Sequence, residues 1–266
     1  MRSLKHFALL FNKIYLARLG KDFSLPLVNQ LFQITGSFCF FVLHLYAFGL
    51  LINKFSFPGW SRPEMWVLLF TFEIFTYGAF YLFWRGFNHT VIDINSGAFD
   101  LILAKPITSR FLSFFRGGGL HNIICSFFGF ICLGVAIVSF QIPVTILTIF
   151  LFLIFLSSSL WIMFCVGVSF ISLNLKYGRL NSTIGAVFQV QEAYKYPSTA
   201  YHKFNLMIWI ILSSLSLLTT LPALVLLSKP LDPKLIALYI SFFIVSTYIS
   251  RFAWNTGLRY YSSASS

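Results

Sequence analysis

Glu73 and His44 are the two side chains in this sequence whose type and setting could do chemistry inside an apolar environment. Glu73 falls within the apolar run 65–87 and His44 within the run 28–53. Each sits about eight or nine positions from the end that the two runs share, which at ~1.5 Å per residue is roughly 12 Å below a membrane surface. A carboxylate at that depth is costly in lipid and is by default a functional site. Two readings follow from the pairing: a Glu73 to His44 contact that seals two helices, or a polar patch on the route of a solute. The alternative is a protonated Glu73 hydrogen-bonded to a Tyr or Thr between helices. Arg251 lies at the other side and cannot partner it. An intramembrane enzyme would need paired catalytic groups at one depth, and only Glu73 with His44 offers such a pair.

Other chemistries are missing from the sequence. There is no Gly-x-x-x-x-Gly-Lys-Ser/Thr phosphate loop, no His-Glu-x-x-His and no second intramembrane carboxylate for proteolysis. Cys39, Cys125, Cys132 and Cys165 all stand in apolar stretches without paired spacing, which indicates neither a disulfide frame nor a metal site. They read as small buried hydrophobes. The chain is therefore expected to be no enzyme and to bind no cofactor of its own.

The elements that would position these residues are membrane spans. Of 266 residues 58% are hydrophobic and 10% charged, and six runs reach the ~20 residues that cross a ~30 Å hydrocarbon core. They are 28–53, 65–87, 120–140, 144–173, 207–228 and 235–254. The net charge of +12 is spread between these runs instead of forming one basic patch, so nucleic acid is excluded as a partner. Counted by alternate loops, fifteen Lys and Arg fall on one side and four on the other; the positive-inside rule puts both termini and the 96–116 stretch in the cytoplasm. The fold class expected is an all-α membrane protein forming one domain over 1–266.

Smaller features refine that layout. Leu4, Phe7, Ala8, Phe11, Ile14 and Tyr15 recur at helical spacing, which describes an amphipathic helix lying on membrane lipid or packed on the protein's own surface. Pro26 ends it. Gln141, Ile142 and Pro143 make a tight hairpin between the third and fourth runs. Pro222 is a place where the fifth can kink. Ser157, Ser158, Ser159, Ser213, Ser214 and Ser216 are small polar residues suited to helix packing or to lining a pore. Trp60, Trp66 and Trp84 lie near span ends, as an interfacial belt requires.

The stretch 96–116 is too short and too charged to cross a membrane. Asp100 and Lys105 flank Phe99, Leu101, Ile102 and Leu103, and Pro106 stops any helix near Ala104. A short helical knob at the membrane surface results, able to dock a soluble partner. Asp100 alone is weak testimony, since an acidic residue in any first helical turn is favoured by the helix dipole.

The run Ser96-Gly97-Ala98-Phe99-Asp100-Leu101-Ile102-Leu103-Ala104-Lys105-Pro106 resembles the Gly-x-Leu-Asp-x-x-Leu-x-Arg-Pro signature of ABC-2 type permeases. Gly97, Asp100, Leu103 and Pro106 match it, with Phe99 for Leu and Lys105 for Arg. Lys195-Tyr196-Pro197 is similar to that family's Arg-Tyr-Pro loop, and Pro222-Ala223-Leu224 to the stretch after it, although Leu215 stands where a further proline is usual. Gly257-Leu258-Arg259-Tyr260-Tyr261-Ser262 resembles the family's C-terminal end. The resemblance implies an N-terminal amphipathic helix and six spans with both ends inside. It also implies a cytoplasmic coupling helix between spans two and three, formed by Gly97, Phe99, Asp100, Leu103, Lys105 and Pro106, that seats in a groove of a separate ABC ATPase. It further implies a second permease as partner, export as the direction and a bacterial cytoplasmic membrane as the location. An ATP-independent channel or carrier, whose knob merely caps a loop, is the alternative.

Overall fold

A computed structural model describes residues 26–106, 108–115, 118–178 and 182–262. The amphipathic segment expected before Pro26 lies outside them. Among the described residues ten α-helices follow in order: α1 (Leu27–Lys54), α2 (Arg62–Ala79), α3 (Arg85–Ser96), α4 (Asp100–Leu103), α5 (Ser109–Phe114), α6 (Leu120–Ser139), α7 (Ile146–Tyr177), α8 (Ser182–Val190), α9 (Leu206–Leu226) and α10 (Pro233–Tyr260). A π turn, Phe80–Trp84, joins α2 to α3 without a break, and two 3-10 turns, Gln191–Lys195 and Ser198–Tyr201, lie between α8 and α9. Six helical runs are long and apolar enough to cross a membrane, and no strand occurs among the described residues. The all-α membrane fold is thus present.

Local sequence explains the ends. Pro26 begins α1. Glu64 accepts the backbone N–H of Ser61 at 2.7 Å, closing the first turn of α2. Thr145 caps α7 and Asn205 caps α9 through their side-chain oxygens, and Asp232 accepts from the Lys234 N–H ahead of a helix that opens on Pro233. The helix containing Pro222 runs on through it.

The core is a stack of α2, α7 and α9. Val67, Leu68, Leu69, Ile162, Val168, Leu217 and Leu218 are wholly enclosed. Small polar residues close the helix contacts: Ser158 and Ser159 on α7 meet the Tyr239 hydroxyl of α10 at 2.6 and 3.0 Å, and Ser126 of α6 donates to the Ile74 carbonyl of α2. Packing between helices is the role these positions fulfil. α1 and α6 keep one broad apolar side exposed, as lipid-facing helices do.

Two expectations are corrected. The second run does not stop near Phe87 but continues as helix to Ser96, because Asn88, His89, Asp93 and Asn95 are polar without being helix breakers and hydropathy cannot follow the helix beyond the bilayer. The chain after the fourth run was expected to stay on the cytoplasmic face until the fifth. Instead Thr199 donates to the Pro58 carbonyl at 3.0 Å, in the loop joining α1 to α2, at the opposite end of the bundle from Tyr177. On the way, Tyr194 is wholly enclosed and its hydroxyl meets Met163 of α7. Lys229, after α9, reaches the same loop, bonding the Gly59 carbonyl and Glu64. Single cysteines at Thr199 and at Lys229, in a protein whose four native cysteines are replaced by alanine, are therefore expected to react with a membrane-impermeant maleimide from the same side as one at Gly59. Labelling of the Thr199 position from the opposite side would refute this path of the chain.

Candidate functional site

The segment beneath α3 is shaped by one backbone reversal. Gly97 takes φ of 79°, a left-handed conformation open to glycine at no steric cost, and its N–H returns to the Ile94 carbonyl. The Phe99 N–H reaches back to the Asp93 carbonyl at 3.1 Å. The chain then makes a single four-residue helix with Asp100 in its first turn, and Pro106 follows too soon for a second.

The faces of α4 differ. Phe99 is fully enclosed and stands edge-on to Trp254 and Tyr261, with ring centroids 6.0 and 5.3 Å away. Ile102 is buried beside it. Leu101 is 71% exposed, and Leu103, Ala104, Lys105 and Pro106 are exposed as well. Of the residues expected to couple to a partner, Phe99 is buried, Gly97 and Asp100 are half-buried, and Leu103, Lys105 and Pro106 are exposed. An uncovered leucine pair beside a lysine is what a soluble partner can grip.

The second place is a cavity of about 410 Å3 between α1, α2, α6 and the first 3-10 turn. Here His44 Nδ1 and a Glu73 carboxyl oxygen are in direct contact. The sequence had left a Tyr or Thr partner open, and the structure gives the histidine. Glu73 is 2% exposed and His44 18%; the imidazole stands 5.4 Å from the Phe72 ring and 6.3 Å from that of Phe48. The Thr76 hydroxyl faces the same cavity, buried without a hydrogen-bond partner.

Sequence reasoning missed the far wall. Gln191, Glu192 and Lys195 come from the 3-10 turn. The Lys195 ammonium donates to both oxygens of Glu192 at 2.9 and 2.8 Å and lies 5.8 Å from the Phe72 ring. The signal was available: an acid and a base three residues apart, between two apolar runs, form a local ion pair suited to a partly buried site. Among the described residues no cluster of His, Cys, Asp and Glu could hold a metal ion.

The architecture and the two places define a polytopic helical membrane protein with an exposed apolar knob on a short helix and a cavity between its helices that holds the Glu73 and His44 pair. The chain belongs to the ABC-2 transporter family: the family described as ABC-2 family transporter protein matches residues 32–265. Neither a curated protein nor a solved structure matches it. Membership makes this chain a membrane-embedded transport subunit and not itself the ATPase, and it implies association with an ABC ATPase.

Proposed function

We propose that this protein is the permease of an ABC exporter, in which the 97–106 segment converts ATP hydrolysis on a separate ATPase into movement of the spans. The exposed Leu101 and Leu103 on a helix braced from beneath by Phe99 carry this reading. Gly97 sets the angle of the knob, Asp100 starts its helix, and Lys105 and Pro106 bound its tip. ATP resides on the partner, and this chain holds no cofactor. A second permease, identical or related, completes the pathway in the lipid of a bacterial cytoplasmic membrane, with both termini inside. The Glu73 and His44 pair lies on the solute's route, which the cavity around it supports.

Gentle purification of the tagged chain is expected to bring down an ABC ATPase in near-equal amount. Asp100→Lys places a like charge beside Lys105 at the knob and should weaken that association by roughly 30-fold, the size of a single interface hot spot. Folding should be unaffected. A folded wild-type sample without any ATPase would favour the ATP-independent channel or carrier.

A further inference from the structure

Arg110 and Arg251 open onto one cavity of about 830 Å3, bounded by α5, α7 and α10, and no carboxylate lines it among the described residues. Arg110 is held firmly. One of its terminal nitrogens donates to the Ser250 hydroxyl at 2.9 Å, its guanidinium stands 5.2 Å over the Phe164 ring, and its Nε is buried with no hydrogen-bond partner. Arg251, on α10, is exposed. Two guanidiniums lining one space with no carboxylate among its described lining residues repel each other, and guanidinium N–H groups pair best with the oxygens of an anion. The walls add a second requirement. Trp161 and Trp254 line the cavity, and Trp161 is 39% exposed. Trp161, partly exposed, gives the cavity an aromatic wall, and indole rings favour the level of the headgroups in a membrane.

A free inorganic anion would satisfy the guanidiniums and leave the aromatic wall idle. A phosphodiester carrying acyl chains satisfies both. We propose that this cavity holds the headgroup of an anionic phospholipid, with Arg110 and Arg251 on the phosphate oxygens and the chains running out past Trp161. Basic pockets between spans on the cytoplasmic side bind such headgroups, and this pocket adjoins Trp254, the ring on which Phe99 of the coupling segment rests. Anionic lipid thus fills the space next to the brace of the knob. The proposal does not depend on transport or on an ATPase.

The test uses the purified full chain in detergent, titrated with brominated phosphatidylglycerol or brominated phosphatidylcholine while tryptophan fluorescence is read. The wild type should quench with roughly 10-fold preference for phosphatidylglycerol, in keeping with two cations near a headgroup. Arg251→Gln, at an exposed side chain that folding does not need, should cut the preference to roughly threefold, and Arg110→Gln with Arg251→Gln should abolish it. Circular dichroism checks that both variants fold. No preference in the wild type, or the same preference in Arg251→Gln, overturns the proposal. Displacement of the brominated lipid by millimolar inorganic phosphate would assign the site to a free anion and overturn the lipid as its ligand.

Discussion

Replacing His44 by leucine is expected to destabilise the purified protein by about 3 kcal/mol, because it leaves Glu73 enclosed without its partner. Removing one member of a buried pair costs far more than removing both. The double variant His44→Leu/Glu73→Leu should therefore regain most of the loss, since two apolar side chains of similar bulk suit the surrounding Phe48 and Phe72 rings. Unfolding in detergent, followed by heat-induced loss of the monodisperse species, gives the comparison. Additive losses in the double variant would show that the two residues act separately. Transport in the double variant carries the functional half of the question. A stable protein that no longer moves its solute places the pair on the route, and one that transports normally reduces it to a helix seal.

The second large effect is expected from Gly86→Ala. A Cβ at this position would lie 1.9 Å from the Phe114 carbonyl oxygen and 2.5 Å from its carbon. Both are backbone atoms, so no side-chain rotation relieves the clash and α3 must part from α5. That seam is tightly used. The Thr90 hydroxyl bonds the Gly86 carbonyl at 2.7 Å and the Ser113 carbonyl at 3.1 Å, and the Phe114 ring is enclosed between Phe87, Phe164 and Trp254. Overpacking of this kind costs roughly 2 to 3 kcal/mol. We expect Gly86→Ala to lose the ATPase on purification as well, because α5 and Trp254 together support the 97–106 segment. Gly134→Ala supplies the control: nothing lies within 4 Å of its added carbon, and alanine in a helix is more favourable than glycine by up to about 1 kcal/mol. Equal behaviour of the two variants would contradict the close approach at Gly86.

The spans were legible because a run of some twenty apolar residues has few other stable homes. His44 and Glu73 were legible as a pair because two helices joined by a short loop put equal offsets at equal depth. What stayed hidden has identifiable causes. Helix beyond the bilayer, from Asn88 to Ser96, carries no hydropathy signal at all. The path from Ser182 to Tyr201 combines one short helix with two 3-10 turns, too brief for any periodicity to emerge. Its destination is fixed by tertiary contacts such as Thr219 to the Tyr194 carbonyl and Ser216 to the Tyr196 carbonyl. Lys195 was consequently counted among loop charges, when its ammonium belongs to the wall of the Glu73 cavity. Phe99 illustrates the same limit at one residue, since nothing in a four-residue helix announces which side will face Trp254.

The uninterrupted helical run from Arg62 to Ser96 carries Glu73 about a third of the way along and delivers the chain to Gly97 at its far end. Between them the π turn Phe80–Trp84 is a local widening of the kind that recurs at functional sites. Taken as a fulcrum, it divides the rod into unequal arms of about 14 Å toward Glu73 and about 22 Å toward Gly97. A displacement at the Gly97 end would then reach the cavity shortened by about a third, with the force raised by about a half.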